Sequence, residues 1–341
     1  MSEIVLDVKN LKKYFPIKGG LAQSVKGYVK AVDGISFQIK RGKTMGLVGE
    51  SGCGKTTAGR TILRLHEPTG GSVFFEGKEV FSLSKKEMRA IRPKMQLIFQ
   101  DPYSSLSPRL PIGEIIGEGV REHHIVESRD YVDYIKNIME ICGLRPSYFD
   151  RYPHEFSGGQ RQRVGIARAL ALNPHLIICD EPVSALDVSI QAQIINLMEE
   201  LQEEHNLTYL FISHDLSVIE HISDDVGVMY LGSMVEKGPK EAIFQDPLHP
   251  YTKALFSAVP VPDPEAHMNR IILSGDIPSP ANPPSGCKFH TRCPYRMKRC
   301  ETEDPVYHHI GREHYVACHL YDKDLTKHEG KQAAYETKGK K

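Results

Sequence analysis

The stretch Gly49-Glu-Ser-Gly-Cys-Gly-Lys-Thr56 decides the fold class of this chain of 341 residues. It fits G-x-x-x-x-G-K-[ST], follows the apolar strand pattern Thr44–Val48 and precedes the helical pattern Thr57–Leu65, which is the context of a phosphate-binding loop. Glycines let backbone N–H groups converge on phosphate oxygens without a Cβ clash, and the helix N-terminus adds partial positive charge. The motif therefore predicts an α/β core that binds a nucleotide.

Within this loop, Lys55 can reach the β- and γ-phosphates, and the Thr56 hydroxyl can ligate Mg²⁺. An ordinary glycine-rich turn is the alternative, but the flanking strand and helix patterns argue against it. The residues expected to contact the nucleotide are Gly49, Glu50, Ser51, Gly52, Cys53, Gly54, Lys55, Thr56 and Thr57.

Two carboxylates end the apolar run Leu176-Ile-Ile-Cys-Asp-Glu181. Such a run favours a strand buried on both faces of a parallel sheet, and the carboxyl ends of these strands hold ligands. Asp180 is placed to hold Mg²⁺ through water, and Glu181 to polarise the attacking water as general base. Taken alone, a solvated strand end would explain the pair equally well; together with the loop at Lys55, the functional interpretation is favoured.

A second candidate phosphate site is the segment Phe156-Ser-Gly-Gly-Gln-Arg-Gln-Arg163, which precedes a helix rich in Ala and Arg. Ser157 is a natural N-cap, and Gly158 and Gly159 would expose the first N–H groups of the helix. If this helix lies among inserted helices, it cannot easily share a phosphate with the loop of its own chain. The pattern therefore suggests a nucleotide sandwiched between two subunits, with a simple capped helix as the alternative.

The composition places the chain among ordinary globular proteins, with 40% hydrophobic and 25% charged residues. The 43 Lys and Arg side chains balance 43 Asp and Glu side chains, so no overall basic field argues for a nucleic-acid partner. No apolar run approaches the ~20 residues of a membrane-spanning helix, and Met1–Asn10 lacks the features of a secretory signal. We expect a cytoplasmic chain that reaches a membrane only through a partner.

The length predicts roughly two domains. A nucleotide-binding domain is expected over 1–258, with helices inserted over about 104–172, where clear strand patterns are missing. Residues 259–286 contain seven prolines and predict a linker. A Cys-rich extension is expected over 287–325, and the polar, Lys-rich tail 326–341 is expected to be disordered.

Strand patterns recur through the first part of the chain, and the earliest of them predict antiparallel hairpins. Ser84-Lys-Lys-Glu87 predicts a capping box, and Val188–Glu204 has helical periodicity. The strand patterns are Ile4–Val8, Ile35–Ile39, Thr44–Val48, Val73–Glu76, Met95–Phe99, Leu176–Cys179, Tyr209–Ile212 and Val226–Tyr230.

In their order along the chain, these motifs resemble those of ABC-transporter ATPases over about residues 4–245. Phe156–Gln160 resembles the family signature, Gln100 falls at its glutamine loop, and Ser184-Ala-Leu-Asp187 resembles the loop that crosses the dimer interface. His214 matches the switch histidine. The resemblance implies a P-loop NTPase core with a mixed sheet, an antiparallel β subdomain and an inserted helical subdomain.

The resemblance also implies site residues. ATP and Mg²⁺ would be the ligands. Thr56, Gln100 and Asp180 would hold the metal. The catalytic set would be Glu181, His214 and Gln100. An aromatic residue would stack on adenine, with Phe15 aligning better than Tyr14. The residues that would contact ATP across a dimer are Ser157, Gly158, Gly159, Gln160 and Asp187.

A subgroup is indicated by further segments that resemble the oligopeptide/dipeptide importers. These are Ala31-Val-Asp-Gly-Ile-Ser36, Gly46-Leu-Val-Gly-Glu-Ser51, Gln100-Asp-Pro-Tyr-Ser-Ser-Leu-Ser-Pro-Arg109 and His249-Pro-Tyr-Thr-Lys-Ala-Leu255. Two positions depart from the commoner pattern: Phe156 replaces Leu in the signature, and Cys53 replaces Ser in the loop.

Membership of this subgroup implies partners. They would be two transmembrane permease subunits, a second ATP-binding subunit (identical or different) and an extracytoplasmic substrate-binding protein, with no nucleic acid. The chain would lie peripherally on the cytoplasmic side of the cell membrane. The alternatives are a soluble ABC mechanochemical ATPase acting on ribosomes or DNA, and a regulatory module that does not hydrolyse. Within the transporter interpretation, nickel or glutathione could replace peptide, because specificity resides in other subunits.

Four cysteines cluster near the C-terminus with the spacing Cys287-x5-Cys293-x6-Cys300-x17-Cys318. This is not a zinc-ribbon pattern, but four thiolates in a reducing compartment suggest a metal. Similar cysteine sets in some peptide-importer ATPases resemble a 4Fe–4S site, so a cluster is expected, with zinc or no metal as alternatives. Basic neighbours would offset the thiolate charge, and nearby histidines are alternative ligands or surface residues. These neighbours are Arg292, Arg296, Lys298 and Arg299, with His290, His308, His309, His314 and His319.

Overall fold

The computed structural model describes residues 3–19, 24–101, 103–258 and 270–322. The first part of the expected linker (259–269), the end of the expected Cys-rich extension (323–325) and the expected disordered tail (326–341) lie outside the described residues.

The described strands are β1 (Ile4–Gly19), β2 (Ser24–Lys40), β3 (Thr44–Val48), β4 (Gly70–Phe75), β5 (Lys78–Glu79), β6 (Met95–Ile98), β7 (Leu176–Asp180), β8 (Thr208–Ile212), β9 (Asp225–Tyr230), β10 (Ser233–Pro239), β11 (Tyr307–Gly311) and β12 (His314–Ala317). The described α-helices are α1 (Lys55–Ile62), α2 (Lys85–Ile91), α3 (Ile112–Glu122), α4 (Tyr131–Ile141), α5 (Gly158–Leu170), α6 (Val188–His205), α7 (Leu216–Ile222), α8 (Lys240–Gln245) and α9 (Pro250–Phe256). The Ser84 capping box is formed, because the Ser84 hydroxyl accepts from the Glu87 N–H and the Glu87 carboxylate accepts from the Ser84 N–H.

A mixed central sheet carries the chain's nucleotide-binding motif. Its order is β11-β12-β10-β9-β3-β8-β7-β6, with β3 pairing in parallel with both β8 and β9. Every residue of β3, β7 and β8 is buried, as expected for strands covered on both faces. The carboxyl ends of β3, β6 and β7 therefore lie at one edge of the sheet, followed by Gly49, Phe99 and Glu181.

A second, antiparallel sheet has the order β2-β1-β4-β5. Its first two strands form a hairpin much longer than the predicted strands Ile4–Val8 and Ile35–Ile39, since pairing continues to Gly19 and Ser24. The distal part mixes lysines with exposed Ile17, so its sequence lacks the apolar alternation of a half-buried strand.

An inserted group of helices lies between β6 and β7, within the predicted span 104–172. Helices α3, α4 and α5 contact one another and bury a shared apolar face that includes Ile116, Ile135, Met139 and Val164. Among the described residues, no helix has both the length and the apolar character that crossing a bilayer requires.

The C-terminal extension adds to the central sheet. Strand β12 pairs antiparallel with β10, and β11 pairs with β12. At this junction the fully buried Glu236 accepts hydrogen bonds from the Leu248 and His249 N–H groups at 2.8 Å each, and its Oε1 lies 2.8 Å from His314 Nε2. The extension is therefore built into the sheet, which the cysteine spacing alone did not indicate.

Next to Glu236, the His249 ring is only 1% exposed, and its Nδ1 accepts a hydrogen bond from the Tyr251 N–H at 3.0 Å. This bond caps α9 and requires an unprotonated Nδ1. Burial lowers the pKa of His249 to about 4, although the negative charge of Glu236 opposes the shift. The folded chain therefore holds this imidazole neutral at neutral pH.

We expect the free energy of unfolding to fall as the pH drops from about 6.5 toward about 4, since the unfolded chain then binds a proton that folded His249 excludes. Between about pH 7 and pH 5 the loss should be about 2 kcal/mol, measured by urea unfolding. His249→Asn should remove this part of the pH dependence, because Asn still caps α9 but does not titrate. The matched control is His205→Asn at an exposed histidine, which should keep the wild-type slope. An unchanged slope in His249→Asn would contradict the assignment.

Candidate active site

The carboxyl edge of the central sheet holds a cavity of about 590 Å³. Its lining includes residues from four separate features that the sequence analysis singled out, namely the phosphate loop, the glutamine loop, the strand end at Glu181 and the histidine His214. It also includes Val29, Ala31 and Pro280, which were not expected. The lining residues are Val29, Ala31, Ser51, Gly52, Gly54, Lys55, Thr56, Thr57, Gln100, Glu181, His214 and Pro280.

The phosphate loop needs glycine at two tight positions. Gly49 has a φ of 148°, and a Cβ there would lie 2.2 Å from the Met229 carbonyl oxygen. Gly54, at the start of α1, has a φ of 109°, and its Cβ would lie 2.0 Å from the Ala31 carbonyl oxygen. Any other residue would force the loop away from its neighbours, so these glycines fix the shape of the cradle.

Lys55 is the buried cation of this loop, with 4% of its surface exposed. Its Nζ donates hydrogen bonds to the Gly49 carbonyl oxygen at 2.6 Å and to the Glu50 carbonyl oxygen at 3.2 Å. The ammonium group is therefore held inside the loop by backbone oxygens, at the place where it can reach a bound phosphate. Cys53 is buried beside it, with its Sγ 3.8 Å from the Lys55 Nζ.

Two of the three residues expected toward Mg²⁺, Thr56 and Asp180, meet at the start of α1 and the end of β7, whereas the Gln100 amide donates to Glu181. The Thr56 hydroxyl donates to Asp180 Oδ1 at 2.6 Å, while Asp180 Oδ2 is buried without a hydrogen-bond partner among the described residues. The Arg60 Nη2 lies 3.7 Å from that oxygen. Burial raises the pKa of Asp180, although the Thr56 hydrogen bond and the Arg60 charge oppose the shift. A hydroxyl and a carboxylate oxygen that accepts no hydrogen bond within the described chain suit a hard divalent cation.

Glu181 sits between the other two residues of the expected catalytic set. Its Oε2 accepts a hydrogen bond from the Gln100 Nε2 at 2.9 Å and lies 3.1 Å from the His214 Nδ1. Its backbone has a φ of 49°, a left-handed conformation that is uncommon for a residue with a side chain. The structure therefore brings Gln100, Glu181 and His214 together in the cavity at one carboxylate oxygen.

The signature segment lies apart from this cavity. Ser157 caps α5, because its hydroxyl accepts from the Gln160 N–H at 3.4 Å and Gln160 Oε1 accepts from the Ser157 N–H at 3.1 Å. Ser157 and Gly158 are exposed, whereas a Cβ on buried Gly159 would lie 2.4 Å from Ile190 Cγ2. Asp187, at the N-cap of α6, is also exposed, so these predicted ATP contacts face outward from the chain.

Phe15, the predicted adenine contact, is not among the residues that line the cavity. Its ring meets the His66 ring edge-on at 5.6 Å, and the Lys13 Nζ lies 4.7 Å from its centroid. The alternative, Tyr14, donates its hydroxyl to Asp33. Adenine stacking on Phe15 stays a prediction.

The loop residue Glu50 is held by two residues that the sequence analysis did not assign to the site. The Arg292 guanidinium forms a two-pronged ion pair with the Glu50 carboxylate at 2.9 and 3.1 Å, and the Glu50 N–H donates to the Tyr251 hydroxyl at 2.8 Å. Burial lowers the pKa of Arg292, but the hydrogen bonds to Glu50 and Tyr230, together with the negative charge of Glu50, outweigh it and raise the pKa. Arg292 was expected to offset the charge of cysteine thiolates, and this contact corrects that expectation.

The four C-terminal cysteines do not form the predicted metal site. Among the described residues, which include Cys287, Cys293, Cys300 and Cys318, no group of three or more His, Cys, Asp or Glu side chains is arranged to hold a metal ion. The prediction of a 4Fe–4S cluster is therefore wrong, and the zinc alternative fails on the same finding.

Cys287, Cys300 and Cys318 are small buried side chains in the packing of the extension, and Cys293 is partly buried. Cys287 and Cys300 belong to the main apolar core, whereas Cys318 packs in a separate cluster with Leu248 and Val316. Burial raises the pKa of Cys287 to about 11 and that of Cys318 to about 12, which keeps both as neutral thiols at neutral pH. Regular spacing in the sequence did not distinguish such packing from metal ligation.

Two of the neighbouring histidines are buried and hydrogen-bonded, in contrast to the surface role considered for them. His314 is 6% exposed and pairs with Glu236, as described above. His319 is 4% exposed, with its Nδ1 at 3.1 Å from Asp322 Oδ2. Both therefore help to hold the extension together.

Comparison with known families gives two matches. The ABC transporter family model matches residues 32–184, which contain the phosphate loop, the signature segment and the strand end at Glu181. The model of the oligopeptide/dipeptide transporter C-terminal region matches residues 235–300, which include β10, α9 and Arg292.

Curated relatives are similar over nearly the whole chain. The oligopeptide transport ATP-binding protein AppF of Bacillus subtilis (strain 168) is 56% identical over 322 residues, covering 94% of this chain and 98% of the relative. A putative peptide import ATP-binding protein of Brucella ovis is 52% identical over 314 residues, covering 92% of this chain and 97% of the relative.

Solved structures share the nucleotide-binding part of the fold. A dimeric, post-hydrolysis state of the ATP-binding cassette MJ0796 with ADP and Pi is 27% identical, covers 69% of this chain and 98% of that chain, and has a TM-score of 0.61. The cbiO1 protein of Clostridium perfringens, part of an ABC transporter complex, is 25% identical, covers 72% of this chain and 92% of that chain, and also has a TM-score of 0.61. With the phosphate loop in place and relatives 56% and 52% identical over nearly their whole length, this chain belongs to the ABC transporter family, as one of its ATP-binding ATPases.

Proposed function

We propose that this chain is the ATP-hydrolysing subunit of a membrane importer that takes up oligopeptides or dipeptides through partner permease subunits. The observation that carries the proposal is the presence of Lys55, Glu181 and His214 in the lining of one cavity, with Asp180 hydrogen-bonded to Thr56 of the same lining, in a chain 56% identical to an oligopeptide transport ATP-binding protein. The match of residues 235–300 to the oligopeptide/dipeptide transporter C-terminal region supports the substrate class.

ATP would bind with its phosphates in the loop 49–57. Lys55 would exchange its carbonyl contacts for the β- and γ-phosphates, while backbone N–H groups at the start of α1 hold the remaining oxygens. Mg²⁺ would be held by Thr56, Asp180 and Gln100. This fits Asp180 Oδ2, which accepts no hydrogen bond within the described residues. When bound, Mg²⁺ supplies neutralisation of the charge that develops on the phosphates.

Glu181 would act as the general base. Its carboxylate accepts a hydrogen bond from the attacking water, takes up the proton as the water oxygen bonds to the γ-phosphorus, and the bond to the ADP oxygen breaks. The hydrogen bond from Gln100 fixes the carboxylate orientation, and His214 lies at the same oxygen. His214 is more than half exposed, which leaves its ring free to meet the γ-phosphate side of the cavity.

A second ATP-binding subunit would complete each site. Ser157, Gly158, Gly159 and Gln160 would contact the γ-phosphate held by Lys55 of a partner, and Asp187 would lie at the interface. The exposure of Ser157, Gly158 and Asp187, and their distance from their own cavity lining, support this arrangement. It also agrees with the dimeric state of the similar cassette MJ0796.

The remaining partners would be two permeases and an extracytoplasmic substrate-binding protein, with the chain bound peripherally at the cytoplasmic face. The inserted helices and the stretch after Gln100 would contact the permeases and transmit the closure of the ATP sites to them. The transporter would then switch between two states, because the closed and open subunits make different contacts with ATP and ADP. The soluble alternative on ribosomes or DNA is less well supported, because the similar relatives carry peptide-transport names.

Glu181→Gln should bind MgATP with nearly wild-type affinity but hydrolyse it at least about 100-fold more slowly. The reason is that the amide keeps the shape of the side chain but cannot accept the proton. Calorimetry measures the binding, and phosphate release from the assembled ATPase measures the turnover. The matched control is Glu199→Gln, which alters a partly exposed carboxylate paired with His221 outside the cavity and should leave turnover unchanged. Near-normal turnover in Glu181→Gln would remove Glu181 as the base.

Cells whose only copy carries Lys55→Ala should lose uptake of a labelled short peptide while uptake of a labelled free amino acid continues. The reason is that the variant loses the buried cation of the phosphate loop. Lys86→Ala, at an exposed lysine outside the cavity, is the matched control and should transport normally.

Purification of the tagged chain from solubilised membranes should yield two multi-span permeases and a second ATPase. Recovery of ribosomes or DNA, with peptide uptake intact in Lys55→Ala, would favour the soluble alternative.

A further inference from the structure

One contact joins the C-terminal extension directly to the phosphate loop. Arg292 lies in the extension, 242 residues after Glu50, and its two terminal nitrogens meet both Glu50 carboxylate oxygens at 2.9 and 3.1 Å. The Arg292 side chain is 8% exposed and that of Glu50 is 24% exposed. The pair is therefore largely shielded from water and has the two-pronged geometry that only arginine provides.

Glu50 is tied into the loop at its backbone as well. Its N–H donates to the Tyr251 hydroxyl at 2.8 Å, and its carbonyl oxygen accepts from the Cys53 N–H at 3.2 Å and from the Lys55 Nζ at 3.2 Å. A force on the Glu50 carboxylate therefore reaches the backbone that surrounds Lys55. The extension holds this carboxylate from outside the loop.

The extension has separate anchors on the nucleotide domain. The Lys288 Nζ donates to Asp33 Oδ2 at 2.8 Å and to Ser233 Oγ at 2.6 Å. The Lys30 N–H donates to the Pro280 carbonyl oxygen at 3.2 Å. Because β12 also pairs with β10, the extension can stay attached if the Arg292 pair is removed. A change at Arg292 can thus be separated from loss of the whole extension.

Stability alone does not account for a buried ion pair, because desolvation offsets much of its attraction. Such a pair does fix the relative position of the two groups, and a phosphate loop held in its binding shape loses less conformational entropy when ligand arrives. We propose that Arg292 is a positioning residue for ATP binding, which acts through Glu50 to hold the phosphate loop in its binding conformation. This inference rests on the proposed nucleotide site and extends it to a residue of the C-terminal extension.

The test is a double-mutant cycle on the full chain, with the Kd for MgATP measured by calorimetry. Arg292→Met should weaken binding about tenfold, and Arg292→Lys should restore part of the loss, because it keeps the charge but not the two-pronged geometry. In the Glu50→Gln background, Arg292→Met should have little further effect, since its partner carboxylate is already gone. Lys288→Met is the matched control: it removes another anchor of the extension away from the loop and should leave the Kd within about twofold.

Three results would overturn the proposal. They are wild-type affinity in Arg292→Met, fully multiplicative losses in the double variant, or a loss in Lys288→Met as large as that in Arg292→Met, which would indicate general loosening of the extension. Thermal unfolding guards against misfolding, and if Arg292→Met does not fold, Arg292→Lys decides: a wild-type Kd in it rejects the requirement for the two-pronged contact. If the wild-type chain itself fails to bind MgATP, the proposed function fails instead, so the two failures are distinguishable.

Discussion

A buried lysine ammonium enclosed by its own loop is the interaction on which the remainder of the site depends. Lys55 donates hydrogen bonds to the Gly49 and Glu50 carbonyl oxygens. The loop can take this shape because Gly49 and Gly54 have no Cβ, which would clash with the carbonyl oxygens of Met229 and Ala31. The loop in turn starts at the end of β3, which is held between two parallel strands. The position of the positive charge is thus set by the sheet, and the carboxylates at the end of β7 are placed relative to it by the same strand pairing.

The C-terminal extension is part of this arrangement and not an appended module. It lengthens the central sheet through β12, buries Glu236 against His314 and reaches back to the phosphate loop through Arg292. Its cysteines pack among apolar neighbours, so the burial of apolar side chains and strand pairing stabilise the folded extension. The C-terminal extension therefore both pairs with the edge of the central sheet and contacts the phosphate loop that follows β3.

The sequence made the local part of the site predictable, because the phosphate loop and the Asp180–Glu181 pair each lie within a few residues and carry their own strand and helix context. It could not show contacts between distant segments. Pro280 reaches the cavity lining and Arg292 reaches Glu50 only in the packed extension, and nothing in their local sequence marks that. The cysteines illustrate the same limit: spacing along the chain does not show whether thiols pack among apolar side chains or are arranged to bind a metal ion.

The placement of the signature segment gives the clearest link from fold to proposed mechanism. Ser157 caps a helix of the inserted group, and the exposed Ser157 and Gly158 lie outside the lining of the cavity that holds Lys55 and Glu181. Gly159 packs against Ile190, so the start of α5 lies against α6, and neither Ser157 nor Gly158 lines the cavity of its own chain. Under the proposed function, one chain would carry two halves of different sites. A phosphate would meet both halves when two subunits close on it, so ATP would stabilise the closed pair and its hydrolysis would release it.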